Sequence, residues 1–565
     1  MKTGWTLLIV ATLFVCNFSH LGALGFVGPD EPRYAWIARD MAETGDWVTP
    51  RLYGKPWFEK PPLFYWGAAA SFKVFGVSEA AARLPSAICA LLATLALAWL
   101  AWRIYGAETA RWFVLLLPTT VGMIGFSHAA ATDMPFSGML TVAMVCAAVV
   151  LGLLPREGVP KAGANAAAGQ ARAESSPQLS VPGPPWIALL LFGFFLGLAV
   201  LAKGPAGIVL CGGTVLCWAL VTKRWRNAFR LIHPAAIFAF CVTALPWYVL
   251  CARRNPDFFH VFIIEHNLKR YVTPEFQHIQ PFWFYVPVVL AALLPWGFLF
   301  LWDAVSGALR FRQARQIDDS TWLLICWSAF TILFFTISKS KLPGYILPAV
   351  PPLALLTSQT VKNRMHQPNT ARLFLSVAGL TLVLLGVLLK LFSDSIPFVT
   401  DIVPPPGVVQ FVFLAVLGGV AVIGLALFNR SSASLAAAVI TVLAFMTTDT
   451  SRLWELDAGV SARPTVVRAL KHLNAEQAAA VTTFKLRRAY KYQVDFYLHR
   501  ETKEWSPGYA GHSIIFTSYS NWKELEALRV RCAYYIAFPA VSLCEDSKGE
   551  PVLLGGDGSS RRKPQ

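Results

Sequence analysis

The stretch of sequence that decides the fold is "LLIVATLFVCNFSHLGALGFVGPDEPRYAWIARDM", Leu7 to Met41. Its first part, Leu7–Gly25, is largely apolar and is long enough to cross a bilayer as an α-helix. Two adjacent carboxylates, Asp30 and Glu31, follow where the chain leaves this run. This order predicts a membrane protein that holds acidic side chains at one membrane surface, where an ionisable group is a candidate for function.

The composition of the whole chain extends this prediction. Of its 565 residues, 55% are hydrophobic and only 14% are charged, whereas soluble proteins average about 25% charged residues. Apolar runs of roughly 17–25 residues recur along most of the length, and inside a bilayer they must form helices because every backbone amide needs a partner. The sequence therefore predicts an all-α polytopic membrane protein with about 13 transmembrane helices, the third of which is expected to run from Ala110 to Ser127.

The basic residues indicate how these helices are oriented. With the N-terminus in the cytoplasm, every second loop is rich in Lys and Arg, which is the pattern of cytoplasmic loops. We expect the first helix to be retained, because no clear cleavage site of a signal peptide precedes the acids. The basic residues of the membrane part, which supply most of the net charge of +17, sit in short loops between the spans, so we expect no nucleic-acid partner.

This topology divides the chain into a membrane part, a linker within that part and a C-terminal part. We predict a transmembrane domain over residues 1–450. Within it, residues 155–185 are rich in Ala, Gly, Ser and Pro and indicate a flexible cytoplasmic linker. Residues 451–565 alternate short apolar runs with polar helical stretches and indicate a small α/β domain on the outer side, where Cys532 and Cys544 could form a disulfide.

The first outer loop, residues 27–82, is dense in candidate functional residues. Read as a helix, "DEPRYAWIARDM" places Tyr34, Ile37, Ala38 and Met41 on one face, which is typical of a helix that lies in the membrane interface. Helix capping is the alternative role for the first acid, and it explains the adjacent acid poorly. The candidates of this loop are Asp30 and Glu31 as catalytic acids, Lys60 as a ligand of a lipid phosphate, and Arg33, Tyr34, Glu59 and Tyr65 as lining of a substrate pocket.

Basic residues on the outer face are exceptions to the charge pattern. They stand at or near helix ends, where an anionic ligand is the plainest reason for them and contact with headgroups or acids is the alternative. These residues are Lys55, Lys60, Lys203, Arg253, Arg254, Lys269, Arg270, Lys339 and Lys341. In "SKSKLPGYILP", the last two of them precede Tyr345, a composition that suits a phosphate.

A third acid, Asp133, lies in the very short second outer loop, "SHAAATDMP". Capping of the next helix is its alternative role, but the topology puts it on the same face as Asp30, so the two acids could border one cavity. No Cys and His cluster has the spacing of a zinc site, and we expect no required cofactor. A divalent metal stays open, with Glu59, His266 and His278 as weak candidates and a solvated loop as the alternative.

Three motifs of the chain resemble those of one known family. They are "DEPRYAWIARDM…GDWVTPRLYGKPWFEKPPLFYW", "EHNLKRYVTPEFQHIQPFWFYVPVVLAALLPW" and "SKSKLPGYILP". Together they resemble the bacterial lipid A 4-amino-4-deoxy-L-arabinose transferases, which belong to the protein O-mannosyltransferase-like superfamily and have the GT-C fold. The resemblance covers about Leu7 to Thr357, whereas the C-terminal tail has little recognisable motif.

The resemblance implies a glycosyltransferase of the bacterial inner membrane whose active site faces the periplasm. Its donor would be 4-amino-4-deoxy-L-arabinose on undecaprenyl phosphate, and its acceptor the phosphates of lipid A, a modification that confers resistance to cationic antimicrobial peptides. We expect a monomer surrounded by membrane lipids. Matched residue by residue, the site of the family corresponds to Asp30, Lys60, Asp133, Arg270, Lys339, Lys341 and Tyr345.

The chemistry of such a transfer gives these residues roles. Departure of the lipid phosphate leaves negative charge, which nearby cations stabilise. The candidates for this role are Lys60, Arg270, Lys339 and Lys341. The anomeric carbon becomes oxocarbenium-like, which favours nearby carboxylates. Asp30 is then either a general base or the group that orients the sugar, Asp133 supports it, and inversion at that carbon is expected by analogy with the family.

Two other functions stay open on the sequence. An enzyme of the same kind could transfer its sugar to a hydroxyl of a protein or another glycan. A transporter or lipid flippase would place ionisable groups at the membrane midplane and show internal repeats, whereas here the charges collect at the outer face and no repeat is evident.

Overall fold

The computed structural model describes most of the chain. The residues it describes are 3–155, 185–269, 279–302, 317–395, 406–448, 457, 460–471, 473–506, 513–517, 521–527, 531–533 and 542–546. The predicted linker lies almost wholly outside these ranges, and so do Arg270 and His278, two of the predicted site residues.

The first part of the chain contains seven helices and a small hairpin. In order they are α1 (Thr3–Phe18), α2 (Asp30–Thr44), β1 (Arg51–Leu52), β2 (Lys55–Pro56), α3 (Leu63–Phe75), α4 (Glu79–Tyr105), α5 (Ala107–Leu116), α6 (Val121–Ser127) and α7 (Asp133–Val150). The two strands pair antiparallel, and together with α2 and α3 they form the loop between the first two long apolar segments.

The second part is helical throughout. Its elements are α8 (Trp186–Lys203), α9 (Ala206–Thr222), α10 (Trp225–Phe229), a 3₁₀ turn (Arg230–Ile232), α11 (Pro234–Arg254), a π-helix (His260–Lys269), a second 3₁₀ turn (Phe282–Phe284), α12 (Tyr285–Ala292), α13 (Asp319–Ile337), a third 3₁₀ turn (Pro343–Ala349), α14 (Val350–Met365), α15 (Pro368–Ser395), α16 (Pro406–Leu427) and α17 (Ser431–Thr447).

Length and composition give many of these helices a membrane-spanning character. Seven described helices, α4, α7, α8, α11, α13, α15 and α16, are long and apolar enough to cross a bilayer, and the bent pair α5–α6 raises the number to eight. Four shorter apolar helices begin at Thr3, Ala206, Phe282 and Ser431. The chain is thus a multi-pass membrane protein, while the expected number of about 13 spans is not confirmed within the described residues.

The prediction of one continuous helix from Ala110 to Ser127 is wrong. The structure breaks it into α5 and α6, which are bent by 63°. Pro118 lies in the break, where it has no backbone N–H to continue a helix. The Thr120 hydroxyl then caps α6 by accepting a hydrogen bond from the Met123 backbone N–H at 3.3 Å.

Loops that the charge pattern assigns to one side of the membrane contact one another. On the predicted outer side, Arg254 at the end of α11 pairs with Asp46 of the first outer loop at 3.0 Å. On the predicted inner side, Arg224 after α9 pairs with Asp319 at the start of α13 at 2.5 Å. These contacts agree with the predicted order of inner and outer loops.

The predicted interfacial helix is α2, and its buried face is the predicted one. Tyr34, Ile37, Ala38 and Met41 are all buried and belong to a hydrophobic cluster shared with α3. Asp30 and Asp133 do not act as helix caps. Each is the first residue of its helix, α2 or α7, and the residue before it makes no side-chain cap. The carboxylates of both acids therefore remain available for other contacts.

The C-terminal unit, residues 457–546, has the predicted α/β character. Its elements are α18 (Arg463–Leu470), α19 (Ala475–Ala479), β3 (Val481–Phe484), α20 (Arg488–Leu498), β4 (Ser513–Thr517), α21 (Trp522–Ala527), β5 (Arg531–Ala533) and β6 (Ser542–Asp546). The sheet order is β3-β4-β6-β5, in which β3 and β4 are parallel and the other pairs antiparallel. The register places the backbones of Cys532 and Cys544 directly opposite each other, as a disulfide between them requires.

The C-terminal unit lies on the first outer loop and on the end of α1. Asp457 accepts a hydrogen bond from the Gly25 backbone N–H at 2.6 Å, and Arg463 donates to the carbonyls of Gly22 and Ala23. At the far side, His499 pairs with Glu43 of α2 at 2.9 Å. The two parts of the chain thus meet along the outer face of the membrane helices.

A buried ion pair between Glu31 and Arg83 joins the segments beneath this contact. Two guanidinium nitrogens of Arg83 donate to the two Glu31 oxygens at 3.0 and 2.8 Å, and both side chains are less than 10% exposed. The same carboxylate accepts the backbone N–H groups of Val27 and Ala130. The remaining Arg83 donors bind carbonyls of the chain after α1, namely those of Leu21, Leu24 and Gly25.

This geometry gives Glu31 a structural role, while its catalytic role stays a prediction. Each of its two oxygens accepts two hydrogen bonds, and all five N–H donors of Arg83 form hydrogen bonds. A buried pair is stable only when its polar atoms are satisfied in this way. The pair holds α1, α2, α4 and the second outer loop together.

Replacing Arg83 by Ala is expected to destabilise the protein strongly. The change leaves the Glu31 charge buried without a counterion, which costs about 3–5 kcal/mol. Thermal unfolding of the purified protein, followed by tryptophan fluorescence, measures the effect. The control is Lys485→Ala, which breaks the exposed Lys485–Glu524 pair and should cost no more than about 1 kcal/mol. Equal unfolding midpoints for the two variants would contradict the assignment.

Candidate active site

Arg33 is the centre of the first cluster of candidate site residues. One turn of α2 brings its guanidinium to 2.5 Å from the Asp30 carboxylate, and the segment before α3 brings the Glu59 carboxylate to 3.0 Å. The Arg33 side chain is only 5% exposed. Burial opposes its charge, but Tyr34, Glu59 and Asp30 outweigh this effect and raise the pKa of Arg33.

Three aromatic rings surround this guanidinium. It lies 5.2 Å from the ring centre of Tyr34, 5.3 Å from that of Trp57 and 5.9 Å from that of Tyr492, all within the range of a cation–π contact. Tyr492 belongs to α20 of the C-terminal unit. Sequence reasoning missed it, since no motif of the tail relates it to a position more than 450 residues earlier.

The acids of this cluster differ in their access to solvent. The Asp30 side chain is 51% exposed, against 8% for Glu31 and 10% for Glu59. Lys60, 13% exposed, lies 3.7 Å from Glu59. Of these three acids, Asp30 is therefore the most accessible, and Glu59 bridges two cations.

Tyr34 and Tyr65 form the buried floor beside this cluster. Their ring centres are 5.7 Å apart, and both side chains are almost fully buried. Burial first, and then the negative charge of Glu59, raises the pKa of the Tyr65 hydroxyl well above its usual value, so the hydroxyl stays protonated. Among the described residues it has no hydrogen-bond partner, which leaves a buried donor of the kind that a ligand oxygen satisfies.

A second cluster forms around Asp133 at the start of α7. Its carboxylate pairs with the ammonium of Lys203 at the end of α8, and that ammonium lies 4.8 Å from the ring centre of Tyr345. A Cβ atom added to Gly344 would stand 2.7 Å from an Asp133 oxygen, so only glycine fits there. The structure thus brings together three predicted residues from distant parts of the chain, Asp133, Lys203 and Tyr345.

The two lysines of "SKSKLPGYILP" occupy different environments. Lys341 is buried, and its ammonium donates to the backbone carbonyls of Ser338 at 2.8 Å and Gln280 at 3.2 Å. Lys339 is exposed. Lys341 therefore fixes the position of this segment, and within the described part of the chain its hydrogen bonds do not reach the two clusters.

Two contacts show that the clusters are neighbours. The Ala130 backbone N–H donates to Glu31 at 2.6 Å, which brings the second outer loop, with Asp133 three residues further on, against α2. Phe58 packs in the same hydrophobic cluster as Leu201, and each stands two residues before a candidate lysine, Lys60 or Lys203. Acids and cations from four segments therefore converge on one face of the molecule.

The candidate metal ligands do not form a site in the described part of the chain. No group of three or more His, Cys, Asp or Glu residues in that part could hold a metal ion. Glu59 pairs with two cations instead, and both His278 and the side chain of His266 lie outside the part that the structure describes. The expectation that no cofactor is required stays a prediction.

Comparison with known families relates this site to enzymes that use lipid-linked sugars. Two sequence patterns, both described as dolichyl-phosphate-mannose-protein mannosyltransferase, match residues 59–168 and residues 166–262. They include the lysine after Glu59, the acid at the start of α7 and the lysine at the end of α8.

Individual relatives are similar over a longer stretch. The undecaprenyl phosphate-alpha-4-amino-4-deoxy-L-arabinose arabinosyl transferase of Enterobacter sp. (strain 638) is 31% identical over 345 residues, which are 61% of this chain and 57% of that protein. The second such transferase of Sodalis glossinidius is 35% identical over 332 residues, 59% of this chain and 55% of that protein. The chain thus matches a little over half the length of these curated relatives.

A solved structure matches the whole fold. The crystal structure of ArnT from Cupriavidus metallidurans bound to undecaprenyl phosphate is 22% identical and superposes with a TM-score of 0.74, covering 99% of this chain and 100% of the other. The crystal structure of the same protein in the apo state superposes with a TM-score of 0.73. The chain therefore has the GT-C fold that its motifs predicted.

Replacing Gly344 by Ala is expected to disturb Asp133 without unfolding the protein. The new Cβ would stand 2.7 Å from an Asp133 oxygen, so the carboxylate must move away to restore ordinary contact. A misplacement of about 1 Å near a reacting centre costs roughly 100-fold in rate. The measurement is the rate of the sugar transfer that the resemblance implies. The control is Gly212→Ala, because nothing lies within 4 Å of a Cβ there. A Gly344→Ala variant as active as the control would argue against a role for Asp133.

Proposed function

We propose that this chain is a glycosyltransferase that moves 4-amino-4-deoxy-L-arabinose from undecaprenyl phosphate to phosphate groups of lipid A. The observation that carries the proposal is the convergence of Asp30, Lys60, Asp133 and Lys203 on one face of a GT-C fold. The names of the relatives support this choice of donor and acceptor.

In this proposal, the donor phosphate binds near Lys60 and Lys203. The bond between the anomeric carbon and the phosphate oxygen breaks, and its electron pair stays on the phosphate. Preorganised cations stabilise the charge that develops there. Each ammonium has three N–H donors, so its ion pair with one carboxylate is compatible with contact to a phosphate oxygen. Arg270 is retained as a further candidate on the basis of its motif alone.

The sugar lies between the acids and the buried tyrosines. Its ammonium group matches the negative charge of Asp30 and Glu59, and the Tyr65 hydroxyl donates to a sugar oxygen. Positive charge that builds up at the anomeric carbon is stabilised by the accessible carboxylate of Asp30, with Asp133 in support. These groups come from the chain itself, so the scheme assigns no step to a cofactor.

The acceptor oxygen attacks the anomeric carbon from the face opposite the leaving phosphate, so the configuration inverts. A phosphate acceptor is already ionised and needs no base, and Asp30 then orients the sugar. With a hydroxyl acceptor, the proton would pass to Asp30 as general base. The position of Asp30, half exposed and held by Arg33, is compatible with both roles.

The proposed location is the inner membrane, with a monomer whose site faces the periplasm. Support comes from the alternation of basic loops, which puts both clusters on the outer side. Each transferred sugar adds an ammonium group to an anionic surface. The lower surface charge weakens the attraction of cationic antimicrobial peptides, which would make the transfer a resistance mechanism.

Incubation of the purified protein with donor and acceptor tests the proposal. We expect lipid A to gain the mass of one or more aminoarabinose units when the aminoarabinose-linked undecaprenyl phosphate is present. Mass spectrometry of the products measures it, with donor-free mixtures as controls. Unchanged lipid A and a newly glycosylated protein or glycan would favour the hydroxyl acceptor, and lipid translocation without transfer would favour a flippase.

Substitutions at Asp30 and Lys60 test the site. Asp30→Asn and Lys60→Ala are expected to reduce transfer by at least roughly 100-fold, because each removes charge that acts on the transition state. Both variants should keep the wild-type unfolding midpoint, since neither residue belongs to the Glu31–Arg83 network. Lys55→Ala is the matched control, as this exposed lysine lies in the same loop. Full activity of either site variant would remove the proposed site.

A further inference from the structure

The C-terminal unit reaches the first cluster through Tyr492 of α20. The ring of Tyr492 contacts Arg33 on the membrane side, 5.9 Å from the ring centre. Arg488 contacts the same ring: its guanidinium lies 5.4 Å from the ring centre, and its Nε donates to the Tyr492 hydroxyl at 3.0 Å. One aromatic ring thus holds two arginines, one from each part of the chain.

Contacts around Tyr492 fix the position of α20. Tyr53 of the first outer loop packs beside the Tyr492 ring, with centres 6.3 Å apart, and donates its hydroxyl to Asp495 at 2.6 Å. Asp495 is fully buried and also accepts from the side chain and backbone of Thr502. Arg488 therefore projects from a helix whose place against the site is set by buried bonds.

Two other cations of this region are paired with acids. Arg33 is neutralised by Asp30 and Glu59, and Lys491 by Asp495 at 2.9 Å. Within the described ranges, no acidic side chain lies within ion-pair distance of Arg488, which is exposed. An exposed guanidinium without a carboxylate partner keeps N–H donors that a bound anion can accept.

We propose that Arg488 binds a phosphate group of the acceptor at the outer end of the active site. This inference rests on the proposed function, because it assigns the acceptor of that same site. A guanidinium presents a planar pair of donors that matches two phosphate oxygens. The donor phosphate is assigned to lysines of the membrane part, whereas Arg488 belongs to the C-terminal unit and is held by Tyr492 beside the first cluster, where the other anionic substrate would meet it.

Steady-state kinetics of the full-length protein test this role. With donor fixed and lipid A varied, Arg488→Ala is expected to raise the KM for lipid A by roughly tenfold, as loss of a charged hydrogen bond predicts. The kcat and the KM for the donor should stay within about twofold of wild type. The KM of Arg488→Lys for lipid A should lie between those of the wild type and Arg488→Ala. Tyr492→Phe, which keeps the ring for Arg33 but removes the hydroxyl bond to Arg488, should shift the acceptor KM in the same direction.

Arg487→Ala is the matched control, since Arg487 is an equally exposed neighbour that makes no described contact with the site. Inorganic phosphate is the probe for the anion itself: it should compete with lipid A in the wild type, and more weakly in Arg488→Ala. An unchanged acceptor KM in Arg488→Ala, or an equal rise in Arg487→Ala, would overturn the assignment. A fall in kcat alone would overturn it too, because it would mean that Arg488 only positions Arg33. Failure of the wild type to modify lipid A would instead count against the proposed function.

Discussion

The buried pair of Glu31 and Arg83 is the interaction on which the site depends. Removing two charges from water is expensive, and here the cost is offset because both oxygens of Glu31 and all five donors of Arg83 are bonded. The bonds reach the chain after α1, the start of α4 and the second outer loop at once. Asp30 is the neighbour of this anchored carboxylate, so its half-exposed position is fixed by a residue that cannot move. Two adjacent acids thus lie in different environments: Glu31 is buried and joins several segments, whereas the Asp30 side chain is half exposed.

The cations of the outer face illustrate the same principle. The sequence offered two explanations for them, an anionic ligand or pairing with acids, and the structure shows that pairing occurs: Lys203 binds Asp133, and Arg254 binds Asp46. Pairing does not remove the first explanation. An ion pair at a site keeps a lysine oriented and lowers the cost of holding it at a membrane surface, and an incoming phosphate then adds to a position already organised.

Much of the fold could be predicted from the sequence because hydropathy and charge act locally. The buried face of α2 followed from helical spacing, and the meeting of Asp133 with Lys203 and Tyr345 is consistent with a shared outer side. The buried pairing of Glu31 was not predicted, because it depends on Arg83, 52 residues away, and nothing near Glu31 in the sequence indicates that partner. The break at Pro118 was missed because the run reads as uniformly apolar. The cation–π contacts of Trp57 and Tyr492 with Arg33 were not predicted. Nothing in the sequence around an aromatic residue indicates which cation it will contact.

The C-terminal unit follows from a constraint that the bilayer imposes. A site at the membrane surface has helices below it and beside it, but the lipid supplies no wall on the aqueous side. Here α20 provides that wall: Phe496 packs edge-on against Phe26 after α1, Tyr53 is bonded to the buried Asp495, and Tyr492 covers Arg33. The first outer loop and the C-terminal unit are therefore one polar layer built from two ends of the chain. Hydrogen bonds and ring contacts join α20 to α2 and to the hairpin β1–β2. We therefore expect a movement of α2 or of the hairpin on substrate binding to move α20 as well.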